Sequence, residues 1–354
     1  MLNQVIWKDK KVLVTGHTGF KGSWLSIWLK MMGAKVIGYA LEPYTDRDNF
    51  VLTKLEEKIT HIIGDVRDYQ KLYDVFIKYE PEFVFHLAAQ PIVRESYLNP
   101  KETFDVNIGG IVNLLECCRL TESIKVIVNV TTDKCYENKE LIRGYQENDR
   151  LGGYDPYSSS KAGSEIVTAA YRQSFFNPKK VNEHGKNIAS ARAGNVIGGG
   201  DWQIDRLIPD CMASLEKIEP VIIRNPSAVR PWQHVLEPLS GYLLLAETMF
   251  ENPGQYCEAW NFGPEKGSMK PVGEIADLVV QNWGEGSWQD CSEKNAPHET
   301  NILKLDISKA RTRLGWNPVL SIEQAVTATV DWYKSYKEKD IYKFNNQQIE
   351  SYIN

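Results

Sequence analysis

The sequence predicts an α/β fold: a doubly wound parallel sheet followed by a smaller C-terminal domain. Three observations carry this. Strand-length apolar runs alternate with amphipathic stretches through the first 195 residues, and a glycine-spaced turn joins the first run to the first helical pattern. After residue 195 the alternation weakens, and Gly, Pro and Trp become frequent, as in NVIGGGDW and RNPSAVRPWQH. Strands alternating with helices argue for a parallel sheet covered on both faces.

The runs KVLVT (11–15), KVIGYAL (35–41), THIIG (60–64), FVFHLA (83–88), KVIVNVT (125–131) and NIASAR (187–192) are read as buried strands. Helical patterns fall at 21–32, 68–79, 101–120 and 156–176. Further on, 234–250 and 321–336 read as helices and 257–262 as a short strand, so the chain is expected to return to the first domain. The expected division is 1–195 for the dinucleotide-binding domain, with returns near 234–262, and 196–354 mainly for the smaller, substrate-binding one.

The 354 residues are 42% apolar and 25% charged, with net charge −5, an ordinary globular composition. No block of one sign points to a nucleic acid or membrane surface, and no run approaches a membrane span. The six cysteines include the pair Cys117–Cys118 and no C-x-x-C. With no signal-like apolar core in MLNQVIWKDKK, this suggests reduced thiols in a cytoplasm. No ligand cluster asks for a metal.

KVLVTGHTGFKGSWLSIWLK places Gly16, Gly19 and Gly22 between the first strand and the first helix. Glycine there permits a tight turn, close approach to a pyrophosphate and close helix–strand packing, while the helix N-terminus offers N–H groups to phosphate. This is a Rossmann dinucleotide loop, with Thr18, Phe20 and Lys21 as its other lining residues. At the end of the second strand Ala40 stands where NAD sites usually carry an acid. Glu42 could substitute, and Arg47 could meet a 2′-phosphate; NAD is preferred, with NADP left open. Asp65 and Val66 in GDVRD would face the adenine, Asp65 being equally readable as a helix cap. Leu87, Ala88 and Ala89 of LAAQ leave room for the cofactor over the sheet's carboxyl edge.

YDPYSSSKAGSE puts Tyr157 and Lys161 four apart, on one helix face. A lysine ammonium beside a phenol lowers the phenol's pKa, so tyrosinate can remove a hydroxyl proton. Tyr154 has Ser158, not a lysine, four residues on.

These two motifs together resemble the extended short-chain dehydrogenase/reductase family. The resemblance extends over nearly the whole chain and is closest to the nucleotide-sugar branch of 4-epimerases and 4,6-dehydratases. Asn107 in VNIGG, the strand exit ARAGNVIGGGD and the later LDISKARTRLGWNP belong to the same pattern. It implies a nicotinamide cofactor held also by Asn107, and oxidation at sugar C4 by Tyr157. It implies further that Thr132 reaches the 4-hydroxyl, that Gln90, Asn195, Arg206 and Arg230 bind the nucleotide sugar, and that helices 101–120 and 156–176 form a homodimer or homotetramer. Ile111, Leu115, Ile166 and Ala170 are the apolar residues expected beyond one core-facing stripe. Arginine suits such phosphate contacts because its planar fork is bidentate.

VTTDKCYE (130–137), at the end of the fifth strand, separates the reactions. Epimerases need only return the hydride to C4. Dehydratases must also remove the C5 proton and protonate the departing C6 hydroxyl. With Asp133 neutral and Lys134 unprotonated, the pair offers one acid and one base. Lys134 is favoured as the C5 base and Asp133 as the C6 acid, exchanged or water-mediated roles staying open. The Thr-Asp-Lys triplet with its CYEN continuation resembles the CDP-D-glucose 4,6-dehydratases, which implies a CDP-D-glucose substrate and a product for deoxyhexoses of bacterial surface polysaccharide. Another dehydratase or epimerase of this fold is the alternative, and a non-catalytic dinucleotide sensor is the reading from a different class. Trp202 and Trp232 are candidates for stacking on a base or sugar, with one expected in the core. His234 and His298 are read as ordinary histidines.

Overall fold

The computed structural model describes residues 3–141, 143–292 and 303–354, so His298 lies outside the described residues. The first six strands are Lys11–Thr15 (β1), Lys35–Ala40 (β2), Thr60–Ile63 (β3), Phe83–His86 (β4), Val126–Val130 (β5) and Asn187–Ala193 (β6). Then follow Val196–Ile197 (β7), Val221–Ile223 (β8), Val229–Pro231 (β9), Gln233–His234 (β10), Ala259–Phe262 (β11), Met269–Pro271 (β12) and Trp288–Asp290 (β13).

Seven of them form one sheet in the order β11-β6-β5-β4-β1-β2-β3, every neighbouring pair parallel. Leu13 of β1 lies in register with Ile37 on one side and Val84 on the other. The order reverses between β1 and β4, which opens a crevice at the strands' carboxyl ends where ligands bind in doubly wound sheets. Runs such as VIVNV are buried along their whole length because both faces of the sheet are covered.

One face packs Trp24, Trp28, Leu236, Leu239 and Ile349 over the strands; the other packs Leu72, Phe76, Leu114 and Leu115. The first layer is helices Phe20–Met31, Leu236–Glu251 and Ile341–Ile353; the second is Tyr69–Tyr79, Gly110–Leu120 and Pro156–Ser174. The expected strands and helices agree with this to within a few residues, including the late return of β11.

Three differences matter. The helix expected at 101–120 is broken: Pro100–Phe104 and Gly110–Leu120 are α-helical, and Asp105–Gly109 between them is a π-helical turn. Such turns often sit beside functional sites. Helices Leu207–Leu215, Val272–Trp283 and Ile341–Ile353 were not anticipated. The last, IYKFNNQQIESYI, has weak helical preference, and the Asp340 cap on Lys343 N and packing on Phe20–Met31 decide it. Finally, Ile111 and Leu115 face the chain's own core, at 0% exposure, whereas Phe104, Val112 and Ile166 stand exposed on those helices.

Candidate active site

The glycine loop is shaped by close approaches. Gly16 has φ +75, and a Cβ on it would sit 2.8 Å from the backbone N of Ala88; a Cβ on Gly22 would sit 2.0 Å from Gly16 O. The first turn of helix Phe20–Met31 starts after Gly19 with no side chain capping its N–H groups, which leaves them for an anion. Thr18 Oγ donates to Leu41 O at 2.9 Å and ties the loop to the end of β2. Phe20 packs against the main core cluster. Ala40 is buried and Glu42 exposed. Arg47 is turned away, its guanidinium 4.0 Å from the centre of the Trp202 ring and 3.5 Å from Glu216.

Around the crevice, Thr15 Oγ accepts from Leu87 N at 3.2 Å and Ala88 N at 3.3 Å; Ala89 follows, half-buried. Val66 is buried against Gly110, and the Asp65 carboxylate accepts from Arg67 N and its guanidinium, at 2.8 and 2.6 Å. Gln90 and Asn107 are tied into the wall of the crevice. Gln90 turns its amide inward, to Thr103 Oγ at 2.8 Å and Ile92 N at 2.5 Å. Asn107 spends its amide on Gln90 N, Gln90 O and Ser160 Oγ, at 2.9, 3.0 and 2.8 Å. Both side chains thus also satisfy backbone groups of the irregular loop beside them, whose donors need partners.

Helix Pro156–Ser174 begins with Pro156, and Asp155 caps it by accepting from Ser158 N at 2.9 Å. It presents Tyr157 and Lys161 to the crevice, 8% and 6% exposed, whereas Tyr154 is 83% exposed. Lys161 Nζ donates to Val130 O at 3.2 Å. Burial lowers the Lys161 amine to about 8, against the Glu165 carboxylate. Burial raises the Tyr157 phenol to about 12, against a hydrogen bond with Thr132. Desolvation therefore outweighs the lowering by Thr132 and Arg206, and the expected depression by Lys161 is not seen.

The Thr132 hydroxyl also donates to Asp133 Oδ1 at 3.0 Å and caps the single 3-10 turn Asp133–Cys135 by accepting from Lys134 N at 3.3 Å. Asp133 is 2% exposed, and its Oδ2 receives no hydrogen bond from the described residues. Burial raises its pKa; Lys134, Thr132, Arg230 and Lys21 pull the other way. Lys21, inside the glycine loop, is lowered to about 8 by burial and then by Arg206 and Lys161, with Asp133 and Asp201 opposing. Five cations, Lys21, Lys134, Lys161, Arg206 and Arg230, are thus gathered around the carboxylates Asp133 and Asp201.

Arg206 Nη1 donates to Asp201 Oδ2 at 2.8 Å, and its charge is felt at Tyr157. Asn195 lies at the β6 exit, its carbonyl accepting from Gln233 N at 3.1 Å, and Arg230 lies on β9 opposite Lys270 of β12. Both tryptophans are core residues, against the expectation for one of them. Trp202 packs edge-on against Tyr333 and Tyr336, and Trp232 donates to Lys270 O at 3.0 Å. His234 is buried, and burial lowers its pKa to about 3. Asp201 and Gly194 escaped the sequence reading. Asp201 closes the quoted GGGD run, and Gly194 precedes Asn195 with nothing to mark it; a Cβ there would lie 2.9 Å from Asp133 Oδ2.

Comparison with known proteins bears on this arrangement. The sequence profile of the family described as GDP-mannose 4,6 dehydratase matches residues 13–329. A CDP-glucose 4,6-dehydratase from Salmonella typhimurium is 48% identical over 354 residues, 100% of this chain and 99% of that one. A dTDP-glucose 4,6-dehydratase from Haemophilus influenzae is 26% identical over 91% of this chain and 97% of that one. Among solved structures, a Thermotoga maritima UDP-glucose 4-epimerase with UDP-glucose superposes with TM-score 0.76 at 23% identity, covering 93% of this chain and 100% of that one. A Bacillus anthracis dTDP-glucose 4,6-dehydratase in complex with NAD gives 0.75 at 21% identity, covering 95% and 99%. Both share the fold. The chain belongs to the GDP-mannose 4,6-dehydratase family of extended short-chain dehydrogenases/reductases.

Proposed function

We propose that this protein is a CDP-D-glucose 4,6-dehydratase, a lyase that uses bound NAD and forms CDP-4-keto-6-deoxy-D-glucose and water. The observation that carries the reading is the buried Asp133 carboxyl, its Oδ2 accepting no hydrogen bond from the described residues, directly beside Lys134 and one hydroxyl away from Tyr157. A 4-epimerase has no use for that second acid–base pair. Full-length similarity to a CDP-glucose 4,6-dehydratase supports the cytidine nucleotide.

The chain fits a dinucleotide: the loop Gly16–Gly22 brings open backbone to the crevice where a Cβ would block it. Val66, Leu87, Ala88 and Ala89 would line the rest of its site, with Lys161 beside its reacting end. A nicotinamide held there would supply a hydride acceptor for C4 and a hydride donor for C6, so no net oxidant would be consumed. Tyr157 takes the 4-hydroxyl proton, with Thr132 orienting that hydroxyl and the Lys161 cation favouring the tyrosinate. The resulting 4-ketone acidifies C5–H, which Lys134 removes. Asp133, kept towards its neutral form by burial, protonates the C6 oxygen so that it leaves as water. Lys134 then returns its proton to C5. The proton left on Tyr157 balances the one lost by Asp133, and the Thr132 hydroxyl, in contact with both, links them. Arg206 and Arg230, from the domain assigned to residues 196–354, clamp the diphosphate, and Asn195, at the end of the first domain, holds the sugar end.

CDP-D-glucose carrying deuterium at C4 tests this. The label should appear at C6 of a 4-keto-6-deoxy product, and heavy water should label C5. Recovery of the C4-inverted sugar would overturn the reading in favour of an epimerase, and parallel trials with dTDP-, UDP- and GDP-sugars decide the base.

Among the described residues no helix is long and apolar enough to cross a membrane. All six cysteines are free, which supports a cytoplasmic enzyme whose product feeds deoxyhexoses of bacterial surface polysaccharide. Exposed Phe104, Val112 and Ile166 on neighbouring helices support a homodimer joined through that face. Sedimentation at micromolar concentration should show at least a dimer, and Ile166→Asp should shift it towards monomer.

A further inference from the structure

Behind the acid–base turn lies an ion pair that the proposed reaction does not use. Glu165 and Arg192 are both 3% exposed, with Arg192 Nε and Nη2 each donating to the carboxylate at 2.9 Å. Glu165 also accepts from Thr131 Oγ at 2.5 Å and Ser190 Oγ at 2.6 Å, so its oxygens are fully engaged. Arg192 Nη1 donates to Tyr136 OH at 2.7 Å and to Glu147 O at 3.1 Å. The Tyr136 hydroxyl donates onward to Asn261 Oδ1 at 2.7 Å, and the Asn261 amide holds Tyr145 O at 2.8 Å. The Tyr136 ring lies under the guanidinium, 4.8 Å away, and stacks on Tyr145 with centroids 5.1 Å apart.

A buried ion pair is a weak source of stability, because desolvating two charges offsets most of their attraction. Its placement suggests what it does contribute. Thr131 immediately precedes Thr132, and Tyr136 immediately follows Cys135, so the stretch Thr132–Cys135 is held at both ends by one ion pair. Glu165 sits one helical turn beyond Lys161 on the helix that carries Tyr157. Both halves of the acid–base machinery are therefore referenced to the same two residues. Arginine is suited to the role, since its rigid fork can hold a carboxylate through one edge and a phenol through the remaining nitrogen.

We propose that Glu165 and Arg192 are positioning residues that set the Asp133–Lys134 turn against the Tyr157–Lys161 helix, with Tyr136 as the lever on the turn; the proposal rests on the dehydratase reading. Tyr136→Phe removes one hydroxyl and keeps the ring. In a single turnover its C4 oxidation should stay within about twofold of the unaltered protein. Elimination should slow by about tenfold, so that reduced-nicotinamide absorbance accumulates and solvent deuterium enters C5 more slowly in proportion. Arg192→Lys, which keeps a cation for Glu165 but loses the fork, should give the same split, and it carries the test should Tyr136→Phe fold poorly by thermal melting. Unchanged elimination in both variants overturns the proposal, as does equal slowing of oxidation and elimination, which would mean general loosening. If the unaltered protein forms no 4-keto-6-deoxy sugar from CDP-D-glucose, it is the dehydratase reading that has failed, and the split is then not the deciding result.

Discussion

Tyr157 and Lys161 stand on a 19-residue helix capped at Asp155, whereas Asp133 and Lys134 stand on a single 3-10 turn of three residues. The first pair takes its geometry from the helix: four residues make one turn, and a local cap and packing suffice. The second pair has no element to rely on. Its place is fixed from outside, by Thr132, by the absence of a side chain on Gly194, and by the pair Glu165–Arg192 acting through Tyr136. On the proposed roles, a relay that only oxidises can be local, whereas the added elimination chemistry depends on contacts made far along the chain.

That contrast can be broken at several strengths. The largest effect should come from Tyr157→Phe, which removes the ionisable oxygen and should cost about 10²–10⁴ in C4 oxidation. No reduced cofactor should then build up, and near-normal turnover would refute the assignment. Lys134→Ala should separate the two regions. Oxidation should proceed while elimination falls by about 10²-fold, and stopped-flow absorbance should show reduced nicotinamide persisting. Asp133→Asn should behave alike, because an amide cannot deliver the proton; wild-type dehydration in both variants would reduce the turn to a solvated bend.

A subtler probe is Gly194→Ala. Its Cβ would lie 2.9 Å from Asp133 Oδ2 and 3.0 Å from Pro231 Cγ, so the carboxyl must shift. Elimination should drop by about tenfold with C4 oxidation little changed, since displacements of about 1 Å carry costs of this order or more. Equal loss of both steps would show that the two regions are not separable.

A different kind of effect, on stability and not on rate, concerns the frame shared by both. Burial lowers His17, His86 and His234 each to about 3, His61 adding to the effect at His17 and Lys161 at His86. Their unfolded value is near 6.5, so between pH 6.5 and 3 the unfolded chain binds the extra protons. Stability is therefore present above 6.5 and declines as pH falls, by up to about 1.4 kcal/mol per pH unit for each group. Urea midpoints should fall between pH 7 and pH 5, and a flat profile would contradict neutral burial.

The same contrast governs how much was legible in the sequence. β1 to β6 and the helix carrying Tyr157 announce themselves because periodicity is a local property and both sheet faces are buried. The glycine loop is legible for a related reason: Gly16 and Gly22 answer contacts within one strand–turn–helix unit and its neighbouring strand. The bonds of Gln90 to Thr103 and of Asn107 to Ser160 are not legible, because those partners come from elements whose approach no spacing reveals. Trp202 likewise belongs to a cluster with Tyr333 and Tyr336, some 130 residues on. The π-helical turn at Asp105–Gly109 interrupts a pattern that reads as one continuous helix. Arg192 was in plain view inside ARAGN, yet only the fold shows that it faces Glu165 and Tyr136.

Tyr145 N donates to Lys304 O and Asp306 N donates to Tyr145 O, each at 2.8 Å. The segment that follows the acid–base turn is thus paired with chain about 160 residues further along. At ordinary elongation rates of about 5–20 residues per second, this partner leaves the ribosome roughly 8–30 s later. Throughout that interval the stretch after Cys135 lacks the partners it has in the folded chain, β11 and residues 303–306. The turn's surroundings are thus completed only near the end of synthesis.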